Sequence, residues 1–144
     1  MDKDKIILDC NEYLKTKTSS RFVFSGTFGL YIQGFAMDRD FHDVDVKFLD
    51  LTQKEAKALS FEFSPKIHAL NDRVLDEGEE YKYVEVEFQG EKLLVFTPKT
   101  IINFKKHTLD FIDNKAKIKS RERLYLAEKI RTDLKYLKET YGLE

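Results

Sequence analysis

Between Thr27 and Leu49 the spacing of apolar residues changes period. Phe28, Tyr31, Ile32 and Phe35 recur at intervals of three and four, and then residues 43–49 read Asp-Val-Asp-Val-Lys-Phe-Leu. The first spacing predicts a helix over 27–35. The second predicts a half-buried strand over 43–49 with Val44, Val46 and Phe48 on its apolar face. A short apolar run over 21–24 precedes them and reads as another strand. Strand, helix and strand in succession require a sheet with helices packed against it.

The rest of the chain adds to that frame. Ile6, Ile7, Cys10 and Leu14 predict a helix over 4–15. Residues 52–59 predict a short helix. Pro65 follows a serine, as a first helical residue follows its cap, and with Ile67, Leu70, Val74 and Leu75 it predicts a helix over 65–76. Residues 81–88, then Gln89-Gly90, then 91–96 form the pattern of a β-hairpin. In its first strand Val84, Val86 and Phe88 share one face, and Tyr83, Glu85 and Glu87 share the other. Thr97-Pro98 starts a helix reaching about residue 112. A last helix over 120–141 carries Leu124, Ala127, Ile130, Leu134, Leu137 and Tyr141 in a stripe and stops at Gly142. The expected fold class is α/β of the α+β kind: a small mixed β-sheet flanked by helices. Residues 1–144 are expected to form one domain, with a core of about 20–112 and a helical appendage over 113–144.

Composition narrows the function classes. The single cysteine, Cys10, excludes an internal disulfide and a cysteine-based zinc site. The amino terminus is charged, and no apolar run approaches the roughly 20 residues that span a bilayer. A cytoplasmic protein without a membrane partner is therefore expected. Charge is uneven: residues 99–138 hold 12 Lys and Arg against 5 Asp and Glu, leaving −8 for the remainder of a chain whose net charge is −1. A basic final third attracts phosphate or nucleic acid, or is a solvated helix face.

Three groups of residues carry chemistry. Ser25-Gly26-Thr27 lies at a strand-to-helix turn, where glycine admits close backbone approach and free N–H groups favour an anion. It is not a P-loop, since no lysine follows at the required place. Asp43 and Asp45 leave one face of a strand about 6–7 Å apart and can converge on hard cations such as Mg²⁺. Aspartate is disfavoured in strands, and here it occurs twice on one face. Glu85 and Glu87 repeat the alternation on the hairpin. If that strand pairs beside residues 43–49, one of them, with Glu85 nearer the strand centre, completes a set of three carboxylates. His42, His68 and His107 show no metal-ligand spacing.

Glycine turn, helix, loop and acidic–apolar–acidic–apolar strand together resemble the nucleotidyltransferase superfamily, the polymerase-beta-like fold, in its small prokaryotic stand-alone form. The resemblance covers about residues 20–112. Gly26-Thr27 stands where the family has Gly-Ser or Gly-Gly, and Asp43 and Asp45 stand where it has its acidic pair. Arg39 lies four residues before Asp43, and Lys105 lies two turns into a proline-initiated helix, as in small members. Thr27 in place of Gly or Ser, a 15-residue spacer over 28–42, and Glu in place of a third Asp depart from the common pattern.

The resemblance implies transfer of a nucleoside monophosphate from a nucleoside triphosphate to an acceptor hydroxyl with two Mg²⁺, or Mn²⁺. Asp43, Asp45 and Glu85 or Glu87 would hold the ions. Ser25, Gly26 and Thr27 would grip the terminal phosphates, and Lys105 and Arg39 would offset phosphate charge. The acceptor is left open among protein, RNA and a small molecule. A protein partner or a second copy is a further implied contact. Members of this size often belong to toxin–antitoxin or mobile-element systems. Two other readings stand beside it. One is an inactive module of this fold that binds nucleotide, RNA or a protein. The other is a helical protein whose basic last helix binds nucleic acid.

Overall fold

The computed structural model describes residues 2–41, 43–63 and 66–144. Its elements, in chain order, are α1 (Lys3–Lys17), β1 (Phe22–Ser25), α2 (Gly26–Ile32), β2 (Val44–Phe48), α3 (Gln53–Ala58), β3 (Ile67–Ala69), β4 (Tyr83–Phe88), β5 (Glu91–Phe96), α4 (Pro98–Asp110) and α5 (Arg121–Tyr141). A π-helical turn, Phe111–Lys115, extends α4. Among the described residues the fold is a five-stranded mixed sheet with five α-helices, an α+β architecture. The strand order is β3-β2-β1-β5-β4. β1 runs antiparallel to β2 and parallel to β5, β2 runs parallel to β3, and β4 and β5 form the antiparallel hairpin.

Alternation places the core. Val44, Val46 and Phe48 are buried, while Asp45 and Lys47 between them are half-exposed. β1 is central, and Val23 and Phe24 on its two faces are both fully buried. Ile7, Cys10 and Leu14 of α1, Phe28 and Leu30 of α2, Ile101, Ile102 and Phe104 of α4, and Leu137 of α5 complete the same core. Cys10 is free and enclosed, and burial pushes its thiol up to about 12, so it acts as a small apolar group.

The helix starts follow the capping residues. The Asp2 carboxylate accepts from Lys5 N, Thr52 and Glu55 form a reciprocal capping box, Thr97 precedes Pro98, and Ser120 accepts from Arg123 N. No helix among the described residues is long and apolar enough to cross a membrane.

One expected element is different. In place of a helix over 65–76 the chain forms the edge strand β3 and then irregular backbone. Pro65 itself lies outside the described residues, as does His42. The apolar residues that imitate a helical stripe have a different reason. Val46 O accepts from Leu70 N at 2.7 Å, and Val44 N donates to Lys66 O at 2.8 Å, so the segment is held by β2 rather than by its own turns.

Candidate active site

The ladder between β1 and β2 sets the site. Ser25 lies opposite Asp45, which brings the end of β1 and the first turn of α2 against the acidic strand. Gly26 has φ +62°, and an added Cβ would sit 3.1 Å from Asp45 Cγ and closer still to Oδ2. Only glycine fits there, both because of the backbone and because the carboxylate occupies the side-chain position. Ser25 is buried, and its hydroxyl makes no capping bond.

Asp45 pairs across β2–β3 with His68. His68 Nδ1 lies 3.4 Å from Asp45 Oδ1, and Nε2 lies 3.8 Å from Asp43 Oδ2. The hydrogen bond to Asp45, with the charges of both aspartates, raises the His68 pKa despite partial burial. Asp43 keeps 53% of its side chain exposed, so the pair opens to solvent on one side.

A buried carboxylate of the cavity comes from α5. Asp133 is 2% exposed and accepts two bonds from Arg39, Nε to Oδ1 at 2.7 Å and Nη2 to Oδ2 at 2.6 Å. Lys105 Nζ reaches the same Oδ2 at 3.4 Å. Arg39 also reaches Thr27 Oγ1 at 3.4 Å and donates to Asp40 O at 2.9 Å. This is a bidentate, charge-assisted pair with a second cation alongside. Burial by itself would raise Asp133, but the Arg39 bonds and the charges of Lys105 and Arg39 outweigh it and hold Asp133 below the ordinary carboxylate range. Burial lowers Lys105, with the charge of Asp133 opposing.

These groups surround one cavity of about 620 Å³. Its walls include Ser25, Gly26 and Thr27, then Arg39, Asp43, Asp45 and His68, and then Lys105, Tyr125, Lys129 and Asp133. Ile101 and Phe104 supply an apolar side. Seven of the nine residues expected to form a site therefore meet here: Ser25, Gly26, Thr27, Arg39, Asp43, Asp45 and Lys105.

Glu85 and Glu87 do not meet them. β4 pairs only with β5 at the far edge of the sheet, with β5 and β1 between it and β2. Three strand spacings separate the two glutamates from Asp43 and Asp45, roughly 14 Å. The position beside Asp45 belongs to His68.

Sequence reasoning missed His68 and Asp133. His68 was hidden because its strand is only three residues long. Asp133 had a readable signal: it interrupts the apolar stripe of α5 between Ile130 and Leu137, where a lone acid needs a buried partner.

Asp43 and Asp45 fit a hard divalent cation by donor type, since carboxylate oxygens suit Mg²⁺. A second, separate cluster lies on the α4 side. Glu79 Oε1 is 2.5 Å from His107 Nε2, and Asp76 Oδ2 is 3.7 Å from it. Among the described residues this is the one group of three whose ligand atoms lie within 4.8 Å of one another, so it could hold a metal ion. A backbone bond from Asp76 and the His107 contact lower Glu79. No protein-family model, curated protein or solved structure matches this chain.

Proposed function

We propose that the chain is a nucleotidyltransferase of the polymerase-beta-like kind, binding a nucleoside triphosphate with a divalent cation in this cavity and passing the nucleoside monophosphate to an acceptor hydroxyl. One observation carries the reading. A glycine turn, an acidic pair and two cations, drawn from four separate segments, converge on one cavity large enough for a nucleotide. Asp43 and Asp45 would hold the cation, which when bound supplies charge against the triphosphate and lowers the pKa of an acceptor hydroxyl.

The other roles belong to the chain's own side chains. Lys105 and Arg39 present positive charge to the phosphates. Asp133 keeps both at fixed positions while no ligand is bound, and it neutralises part of their mutual repulsion. Gly26 lets the Asp45 carboxylate sit against the turn, where any side chain would displace it. Ile101 and Phe104 exclude water from one wall. We place this activity in the cytoplasm, where a lone thiol such as Cys10 stays reduced.

The identity of His68 favours a second reading. A histidine, not a carboxylate, lies beside Asp45. That donor set suits one cation better than a pair, so the chain would bind a nucleotide and cation without transferring.

Two measurements separate the readings. The first is a thermal-shift series with Mg²⁺ or Mn²⁺ and a non-hydrolysable triphosphate, on the wild type and on Asp43→Asn/Asp45→Asn. Both readings require stabilisation of the wild type and its loss in the double variant. A wild type that no triphosphate stabilises counts against both. The second follows label from each α-labelled nucleotide into a cell extract. Labelling that the double variant abolishes supports transfer. Nucleotide stabilisation without labelling supports the binding module.

A further inference from the structure

The cavity has one wall that the nucleotide does not explain. Along α5, Arg121, Tyr125, Lys129 and Asp133 recur every four residues and so lie in a row on one helix face. Tyr125, Lys129 and Asp133 line the cavity. Tyr125 is 72% exposed at its mouth, and Leu124 and Leu126 beside it are also open. Beyond Arg121 the chain continues the same character: Lys115, Lys117 and Lys119 alternate with Ala116 and with Ile118, itself 73% exposed. Phe111 is exposed beneath Arg123, whose guanidinium carbon lies 5.5 Å from the ring centre.

Charge says what suits this surface. Residues 115–123 hold five Lys and Arg and one acid, Glu122. Among the described residues, Lys117, Arg121 and Lys129 have no ion-pair partner, whereas Lys115 meets Asp110 at 3.1 Å. A basic track interleaved with an exposed aromatic ring is the chemistry of single-stranded nucleic acid: cations follow the phosphates and a ring stacks a base. An anionic lipid surface would also meet cations and apolar groups, but the row here leads inward, from exposed Arg121 outside the cavity, past Tyr125 and Lys129 in its wall, to buried Asp133. Over those twelve residues a helix advances about 18 Å. The cavity wall also carries Asp40, a carboxylate of the kind that accepts from a ribose hydroxyl.

We infer that the acceptor is the end of a single-stranded RNA. It is drawn along residues 115–123, stacked on Tyr125 and led past Lys129 to the acidic pair. This deepens the proposed transfer and rests on it. The acceptor hydroxyl would attack the α-phosphorus, its proton would pass to solvent or a nearby base, and pyrophosphate would leave.

The test is fluorescence anisotropy of a short labelled single-stranded RNA of mixed sequence, with DNA of the same sequence and anionic phosphatidylserine vesicles as the other arms. It is run without divalent cation across a salt series. Wild type should bind RNA more tightly than DNA. Tyr125→Ala should weaken RNA binding about tenfold, the scale of one lost stacking contact. Lys117→Ala/Arg121→Ala should make the salt dependence shallower by about 1.4 in the log–log slope. All three side chains are exposed, so both variants should melt like the wild type, which separates lost contact from lost fold.

No RNA binding by the wild type, binding indifferent to Tyr125→Ala, equal affinity for DNA, or capture by vesicles but not RNA would each overturn the inference. The nucleotide thermal shift is read separately. If it succeeds while RNA binding fails, only this inference falls. If RNA binds as expected while nucleotide does not, the transfer reading falls, and with it the role of the RNA as acceptor.

Discussion

At Gly26 two demands coincide. Its backbone sits at φ +62°, and the missing side chain is replaced in space by the Asp45 carboxylate. Gly34 has φ +92° with nothing within 4 Å of an added Cβ. Alanine at Gly34 should therefore cost about 1–2 kcal/mol, from left-handed backbone alone. Alanine at Gly26 should cost more, and should also displace Asp45 and abolish stabilisation by Mg²⁺ and triphosphate. Urea denaturation of both variants and a thermal shift on each check this, and equal losses for the two would refute it. Asp133 makes a second residue-scale case. Replacing it with alanine leaves Arg39 and Lys105 facing each other without an anion. A cost of about 3 kcal/mol is expected, the low end for a broken buried pair because Arg39 keeps some solvent contact. The pH sign follows from its lowered pKa. The contribution is present above the unfolded carboxylate value of about 4 and is lost as pH falls through the folded value. Wild type and Asp133→Ala should thus converge in stability as solutions are acidified below about pH 4, measured by urea midpoints at each pH.

Elements were readable where local pattern and tertiary place agree. Gln89-Gly90 between alternating runs marked the β4–β5 hairpin, because turn chemistry is a local property. The capped start at Thr97 and the helix starts near Thr52 and Ser120 were readable for the same reason. β3 was not. Ile67, Leu70, Val74 and Leu75 have helical spacing, but β2 offers a parallel partner that no local pattern reports. The sheet order is equally non-local, which is why Glu85 and Glu87 looked like site residues and His68 did not. Hydrogen exchange distinguishes the two structures for this segment. The Leu70 amide, bonded to Val46 O, should be protected, and the amides of residues 74–75 should exchange freely; a helix over 65–76 would protect both. At α5, Ser120 accepts from Arg123 N. Ser120→Ala should lower stability by about 1 kcal/mol, seen as a shifted urea midpoint with unchanged slope.

At the scale of the whole molecule, the cavity was half visible in advance. Residues 25–45 contain the glycine turn and the acidic pair within one local unit, so their meeting could be read from order and spacing. The far wall could not, because α5 reaches it only through tertiary packing. Leu137 is fully buried in the common core, so the last helix belongs to the body of the fold as well as to the site. Arg39 and Asp133 are 94 residues apart in sequence, and Lys105 and Asp133 are 28 apart. Bringing such distant partners together carries a loop-closure cost that the local pairings do not. A molecule with its sheet assembled but its last helix detached would leave two unneutralised cations and an open wall. The trio Arg39–Asp133–Lys105 thus acts as a clasp: the cavity is whole only once the last helix has docked against the loop before β2 and against α4.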